Sequence, residues 1–290
     1  MSGYVERERL QKKWPYAKSH RNWTTALIQS TEASSLAEAI LTCATSNFGA
    51  SLARFAATAA DFDMSCIFAF SRDRPPALIH DGYSETIDRK ALQSYLRGAC
   101  LLDPFYSACV NGHAEGLWRM RDLAPDAFYE SEFAWSSEVH PCISDQAGTL
   151  IEEIGYIIPL GLEEAATFSL MRNRNSSPFT TEEFQKLEAL APIVSAFIQQ
   201  HYKAINADRG GGKHLRSNAD AVFLKAFGDL TQAQYAVTKL ILSGHSNISI
   251  ASILGITEGT VKMHRYNIYK RLNISSQAEL FQLFIEKLTD

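Results

Sequence analysis

Between positions 257 and 272, Thr260, Lys262, Met263, Tyr266 and Lys270 recur on one side of a helix, with Arg265 and Arg271 beside them. Val261, Ile268 and Leu272 fall on the opposite side. Cations so placed neutralise phosphates, and Thr, Met and Tyr side chains reach base edges in a major groove. That is the chemistry of recognising a nucleic acid, with no bond made or broken. Signs of catalysis are missing from the sequence: no Gly-rich phosphate loop, no HExxH, no GxSxG and no obvious carboxylate pair. His80-Asp81 and the His113/Glu115 pair fall on predicted turns and read as solvated surface. No catalytic residue, metal ligand or cofactor is expected, and the chain is not expected to be an enzyme.

The elements that must hold this face occupy 230–288, read as four helices in quick succession. Thr231 caps the first, which turns Val237, Leu240 and Ile241 inward and ends at Ser243-Gly244. The second runs from about 248 to 254 and stops at Gly255. Thr257 caps the third and Glu258 suits its positive end, while Ser276 and Glu279 have the form of a capping box for the fourth. The turn 255–257 is short enough to force a steep crossing, the arrangement of a helix-turn-helix. The third helix is then the one presented to double-stranded DNA.

This stretch resembles the LuxR/GerE family in Leu230-Thr231, Gly244, Asn247, Ile250-Ala251, Leu254, Thr260-Val261-Lys262, His264 and Lys270-Arg271-Leu272. The resemblance covers about a fifth of the chain. It implies that Lys262, Met263 and Tyr266 reach bases, and that Thr260 and His264 touch phosphates or brace the helix. It also implies that the fourth helix dimerises, through Phe281, Phe284, Ile285 and Leu288. One position departs from the pattern: Gln234 stands where the family usually has an acidic residue, which should weaken an internal charge pair.

The rest of the chain is different in charge. Positions 1–202 hold 17 Lys+Arg against 25 Asp+Glu, and 203–290 hold 11 against 7. Only the C-terminal piece suits phosphate. The three glycines in 206–217 mark a flexible tether, so the chain divides into a sensing and dimerisation domain at 1–203, a linker at 204–226 and a DNA-binding domain at 227–290. In the first domain, 34–58 reads as a helix with Leu36, Ile40, Leu41, Phe48 and Leu52 along one side, and 87–101 as another. Strands are expected at 64–71, 77–83, 151–159 and 166–172, with hairpin turns at 72–76 and around Glu163-Glu164. A helix follows at 180–202, capped by Thr181 and bent at Pro192. The fold class is α+β: an antiparallel sheet with helices on its faces, similar in layout to GAF- and PAS-like sensors, followed by an all-α four-helix unit.

Cys43, Cys66, Cys100, Cys109 and Cys142 are odd in number and lack metal-ligand spacing, so they read as buried thiols. No run of 18 uncharged apolar residues exists and the N-terminus lacks the form of a signal peptide, so no membrane contact and a cytoplasmic location are expected.

The segments 101–112, 116–128 and 179–202 resemble LuxR-type regulators with a GAF- or PAS-like front domain. That resemblance implies an architecture and not a ligand. The aromatics Phe68, Phe105, Tyr106, Trp118, Phe128 and Trp135 are expected to line a pocket between sheet and helices for a small, largely apolar effector, with Asp103 as polar anchor or as a plain helix cap. Asp103-Pro104 followed fifteen residues later by Trp118 is similar to acyl-homoserine-lactone receptors, although Lys90 and Ser94 stand where that family places aromatics. A third possibility is a ligand-independent regulator controlled by protein partners. In each, the chain binds DNA as a homodimer. A phosphorylation-controlled receiver does not fit, because the strands come in hairpins.

Overall fold

The computed structural model describes residues 30–83, 89–136, 150–173, 176–207 and 219–289. Five strands build one antiparallel sheet: β1 Met64–Ser71, β2 Ala77–Gly82, β3 Gly116–Arg119, β4 Leu150–Pro159 and β5 Glu164–Asn173, in the order β2-β1-β5-β4-β3. β1 is buried along its whole length, with Cys66, Phe68 and Phe70 facing one layer and Ile67 the other. Both faces of the sheet are therefore covered. The four strands read from sequence are present; β3 was not expected, being four residues long and carrying Arg119 and Trp118.

On one face lie α1 Ser30–Leu41, α2 Phe48–Ala57 and the long C-terminal helices of the unit, α7 Thr181–Ala189 and α8 Ala191–Asn206. Phe48, Leu52, Phe55, Tyr156, Phe168, Leu187, Val194 and Ile198 fill the space between. The single helix expected over 34–58 is two helices. Thr42 and Thr45 turn their hydroxyls back to Glu38 and Thr42 carbonyls, and Ala44 takes φ +68 with its N–H given to His201 Nδ1. The break leaves Ile40 and Leu41 exposed instead of facing inward. The helix expected over 180–202 is also divided, at Leu190, because Pro192 sits in the first turn of α8 and restarts the ladder. Its cap is Thr180, one residue earlier than expected, in a reciprocal box with Glu183.

Burial lowers the pKa of His201, whose ring stacks on Phe48 at 4.1 Å. On β5, Arg172 is almost fully covered and ties several loops together: its Nε donates to the Asp61 carbonyl (2.9 Å) and its guanidinium pairs with Glu183 (2.7 and 3.1 Å). The same guanidinium lies 4.0 Å over the Phe179 ring.

The other face carries α3 Arg89–Arg97, a 3-10 turn Ala99–Leu102 and α4 Pro104–Val110, followed after β3 by α5 Met120–Leu123, the 3-10 turn Phe128–Glu130 and α6 Glu132–Trp135. The helix expected over 87–101 thus stops at Arg97, where Gly98 at φ +157 lets the chain turn. Cys66, Cys100 and Cys109 are buried and Cys43 half-buried; burial pushes the Cys100 and Cys109 thiols well up, as inert core thiols. Cys142 lies outside the described residues.

The C-terminal unit comprises α9 Ala219–Phe227, α10 Gln232–Leu242, α11 Asn247–Leu254, α12 Glu258–Leu272 and α13 Gln277–Thr289. α9 falls inside the stretch expected to be linker, because Phe223 and Phe227 are wholly buried against Phe284 at 4.8 and 6.0 Å. Likewise α8 runs to Asn206, past the domain edge read at 203.

The two units touch. Ala127 N–H donates to the Gly244 carbonyl (2.9 Å), and Ser246 gives its N–H to Asp126 Oδ1 (2.9 Å) and its hydroxyl to Oδ2. Gly244 has φ +89, and a Cβ there would stand 2.5 Å from the Phe128 Cα. Phe133 and Phe281 meet edge to face at 6.4 Å. Among the described residues no helix is long and apolar enough to cross a membrane.

Candidate nucleic-acid interface

Each of α10 to α13 starts where a short polar side chain takes an orphan N–H. Thr231 accepts from the Gln234 N–H, and Gln234 Oε1 accepts in return from the Thr231 N–H (3.1 Å). The departure at Gln234 therefore completes a neutral capping box. Ser246 caps α11, a position the sequence reading did not assign. Gly255, at φ +65, ends α11 in the left-handed conformation, and Thr257 starts α12 two residues later by accepting from the Thr260 N–H (3.1 Å). This is the short turn that the sequence implies. On α13, Ser276 accepts from the Glu279 N–H, but the Glu279 carboxylate reaches back to Ser275, so the expected box is shifted by one residue.

These caps fix how α12 is presented. Val261 and Ile268 are wholly buried, while Met263 is 55% and Tyr266 66% exposed. Lys262 and Lys270 are exposed on the same outer side, and Lys262 holds Glu258 one turn back at 2.7 Å. His264 and Thr260 are half-buried, and the Thr260 hydroxyl is shared with that of Thr257 at 2.8 Å. Arg265 is placed differently from its neighbours. Its guanidinium bonds Asn247 of α11, Tyr269 of α12 and Gln277 of α13, each at 3.1 Å, and so braces three helices from a half-buried position. The helical face alone does not reveal this, because two of the three partners, Asn247 and Gln277, come from other helices.

Phe281, Phe284, Ile285 and Leu288 of α13 are buried within the chain. Phe284 packs on α9, and Phe281 meets Phe133 of the front unit.

In the front unit, Asp103 is 3% exposed. It caps α4, accepting from the Phe105 N–H (2.7 Å) and from the Tyr95 hydroxyl (2.6 Å). Phe105 and Tyr106 follow it in the chain and are buried, Phe68 is buried against Tyr95 at 4.9 Å, and Phe128 is buried further off, beside Gly244 and Phe133. Trp118 is half-buried on β3; its indole N–H donates to the Ala114 carbonyl (3.0 Å). Trp135 ends α6.

Burial raises the Asp103 carboxyl to about 6, against the pull of the Tyr95 and Phe105 donors. The folded chain then keeps a proton that the unfolded chain has lost, so stability falls as pH rises from about 4 to about 6, by some 2–3 kcal/mol. Asp103→Asn should flatten that part of a urea-denaturation series against pH; an unchanged slope assigns the effect to another group. Among the described residues no group of three or more His, Cys, Asp or Glu could hold a metal ion.

Comparison with known proteins bears on this arrangement. Residues 229–284 match the GerE model of bacterial regulatory proteins, luxR family. The chain is similar to the HTH-type transcriptional regulator in the exeN 3' region of Aeromonas salmonicida, 30% identical over 198 residues that cover 64% of this chain and 94% of that protein. It is also similar to the HTH-type transcriptional regulator MalT of Klebsiella pneumoniae, 25% identical over 177 residues, 60% of this chain and 19% of MalT. Among solved structures, the VqsR LBD domain from Pseudomonas aeruginosa superposes with a TM-score of 0.50 at 24% identity, over 59% of this chain and 96% of that one, a likeness of fold. With the motif in place at 229–284 and one regulator matched over nearly its whole length, the chain belongs to the luxR family of bacterial regulatory proteins.

Proposed function

We propose that the chain is a ligand-responsive transcriptional regulator that binds operator DNA as a homodimer. The observation that carries this reading is the exposed row Lys262, Met263, Tyr266 and Lys270 on a helix whose other side, Val261 and Ile268, is fully dry. We place base contacts on Lys262, Met263 and Tyr266, and phosphate contacts on Thr260, His264 and Lys270. Arg265 acts as a brace more than as a direct contact. The front unit, through α8, is the sensing and dimerisation domain and is GAF/PAS-like; α9 onward is the reading head. A small, largely apolar effector acts on the cluster of Asp103, Phe68, Phe105 and Tyr106, with Phe128, Trp118 and Trp135 as further candidates for its contacts.

Selection from a random double-stranded DNA pool with the full chain tests this. The enriched sequence should be an inverted repeat with half-site centres about 34–36 Å apart. A single unrepeated motif removes the homodimer, and no enrichment removes DNA recognition.

A second reading has one observation in its favour. Asp103 is already satisfied by Tyr95 and Phe105, which suits a front domain that answers to protein partners instead of a small molecule. The lactone reading is weakened by the Trp118 indole, whose donor is committed to Ala114.

A further inference from the structure

A cleft of about 360 Å³ lies on the seam between the two units, large enough for a small metabolite. The front unit supplies Leu101, Leu102, Asp103, Pro104, Tyr106, Val110 and Pro125 to its walls, and the reading head supplies Lys239, Leu240, Ser243 and His245. The walls are apolar and polar in equal part, Ser107 and Asn111 of the front unit completing the polar share. Arg72 and Lys239 add one cationic side chain from each unit; among the described residues Arg72 gives one guanidinium nitrogen to the Val110 carbonyl and Asn111 Oδ1, and the Lys239 ammonium lies 6.0 Å over the Phe223 ring. The acidic residue in the lining, Asp103, has its carboxylate engaged by Tyr95 and the Phe105 N–H.

We propose that this seam cleft binds a small amphipathic anion, an apolar body with one carboxylate, and that its occupant holds the reading head against the front unit. The proposal rests on the reading of the chain as an effector-controlled regulator; it gives the effector a class and moves its place from the buried aromatic cluster to the seam, which shares Asp103 and Tyr106 with that cluster. The lining explains the class: an aliphatic body covers Leu101, Pro104, Tyr106 and Leu240 while a carboxylate meets the two cations. The position explains the control. Pro125, Ser243 and His245 are chain neighbours of Asp126, Gly244 and Ser246, the residues that bond the units together. A ligand touching both sides of this contact binds the docked arrangement better than the undocked one and shifts the population toward it.

Octanoate is the probe, with octanol as its uncharged counterpart, and calorimetric titration of the full chain is the readout. Octanoate should bind at least tenfold more tightly than octanol. Arg72→Gln with Lys239→Gln should remove that preference, and Asp126→Ala, which leaves the lining intact but loosens the contact, should weaken octanoate by several-fold. Thermal melts of the variants verify folding. Absence of octanoate heat, equal binding of octanol, or an affinity indifferent to all three substitutions each overturns the proposal. The two readings separate in the same preparation. If the chain still selects an inverted repeat but ignores octanoate, only the cleft is lost; if it selects no DNA, the regulator reading is lost with it.

Discussion

Lys262→Ala combined with Tyr266→Ala is expected to lower operator affinity by two to three orders of magnitude, at about 1–3 kcal/mol for each base contact removed. Both side chains are exposed on α12: Tyr266 is 66% exposed, and among the described residues Lys262 makes a one-turn pair with Glu258, worth about a few tenths of a kcal/mol. The melting temperature should therefore stay within a degree or two while discrimination between operator and scrambled DNA collapses. Fluorescence anisotropy at fixed salt reads this, and salt must be held constant because phosphate contacts dominate non-specific binding. Equal loss on operator and scrambled DNA would mean that the pair contacts phosphate only. No loss on either would move the reading face elsewhere.

Arg172→Met should cost the front unit about 1–3 kcal/mol, the usual cost of leaving buried carbonyls without their donor, because the Glu183 carboxylate left behind is partly exposed. The side chain is 8% exposed and serves Glu183, the Asp61 carbonyl and the Ser177 and Pro178 carbonyls together. Its guanidinium also holds the Glu183 carboxyl down to about 2. A depressed carboxyl contributes stability above the ordinary carboxylate range and loses it as pH falls toward 2, so the wild-type advantage over Arg172→Met should shrink on acidification. Urea denaturation at pH 7 and pH 3 checks both statements. A loss below 1 kcal/mol at neutral pH would show that water replaces the guanidinium at these carbonyls.

How far the sequence reached depended on whether a signal was local. The caps at Thr231 and Thr257, the stop at Gly255 and the hairpin of β4 and β5 depend on residues within a few positions of one another, and all were legible. What failed depended on distant partners. The break before α2 is held by His201, 157 positions from Ala44. α9 was absorbed into the linker that the neighbouring glycines mark, because its anchors, Phe223 and Phe227, acquire meaning only against Phe284. Arg265 looked like one more cation on the reading side until Asn247 and Gln277 were brought to it. Asp103 was left open between cap and ligand anchor; its cap geometry is now explicit, and Tyr95, one place off the aromatic position of the lactone receptors, takes the oxygen that a ligand would need.

Gly244 limits how this regulator can be recombined. Reading heads and front domains in modular proteins are commonly imagined as interchangeable cassettes, joined wherever a tether permits. Here the backbone of one cassette rests on the backbone of the other, and any side chain at 244 would enter the space of the Phe128 Cα at 2.5 Å. A head grafted from another protein must therefore bring a glycine with positive φ at this place, or the recipient must redraw the turn around Phe128. Inheritance of the two halves is coupled through an atom that is absent.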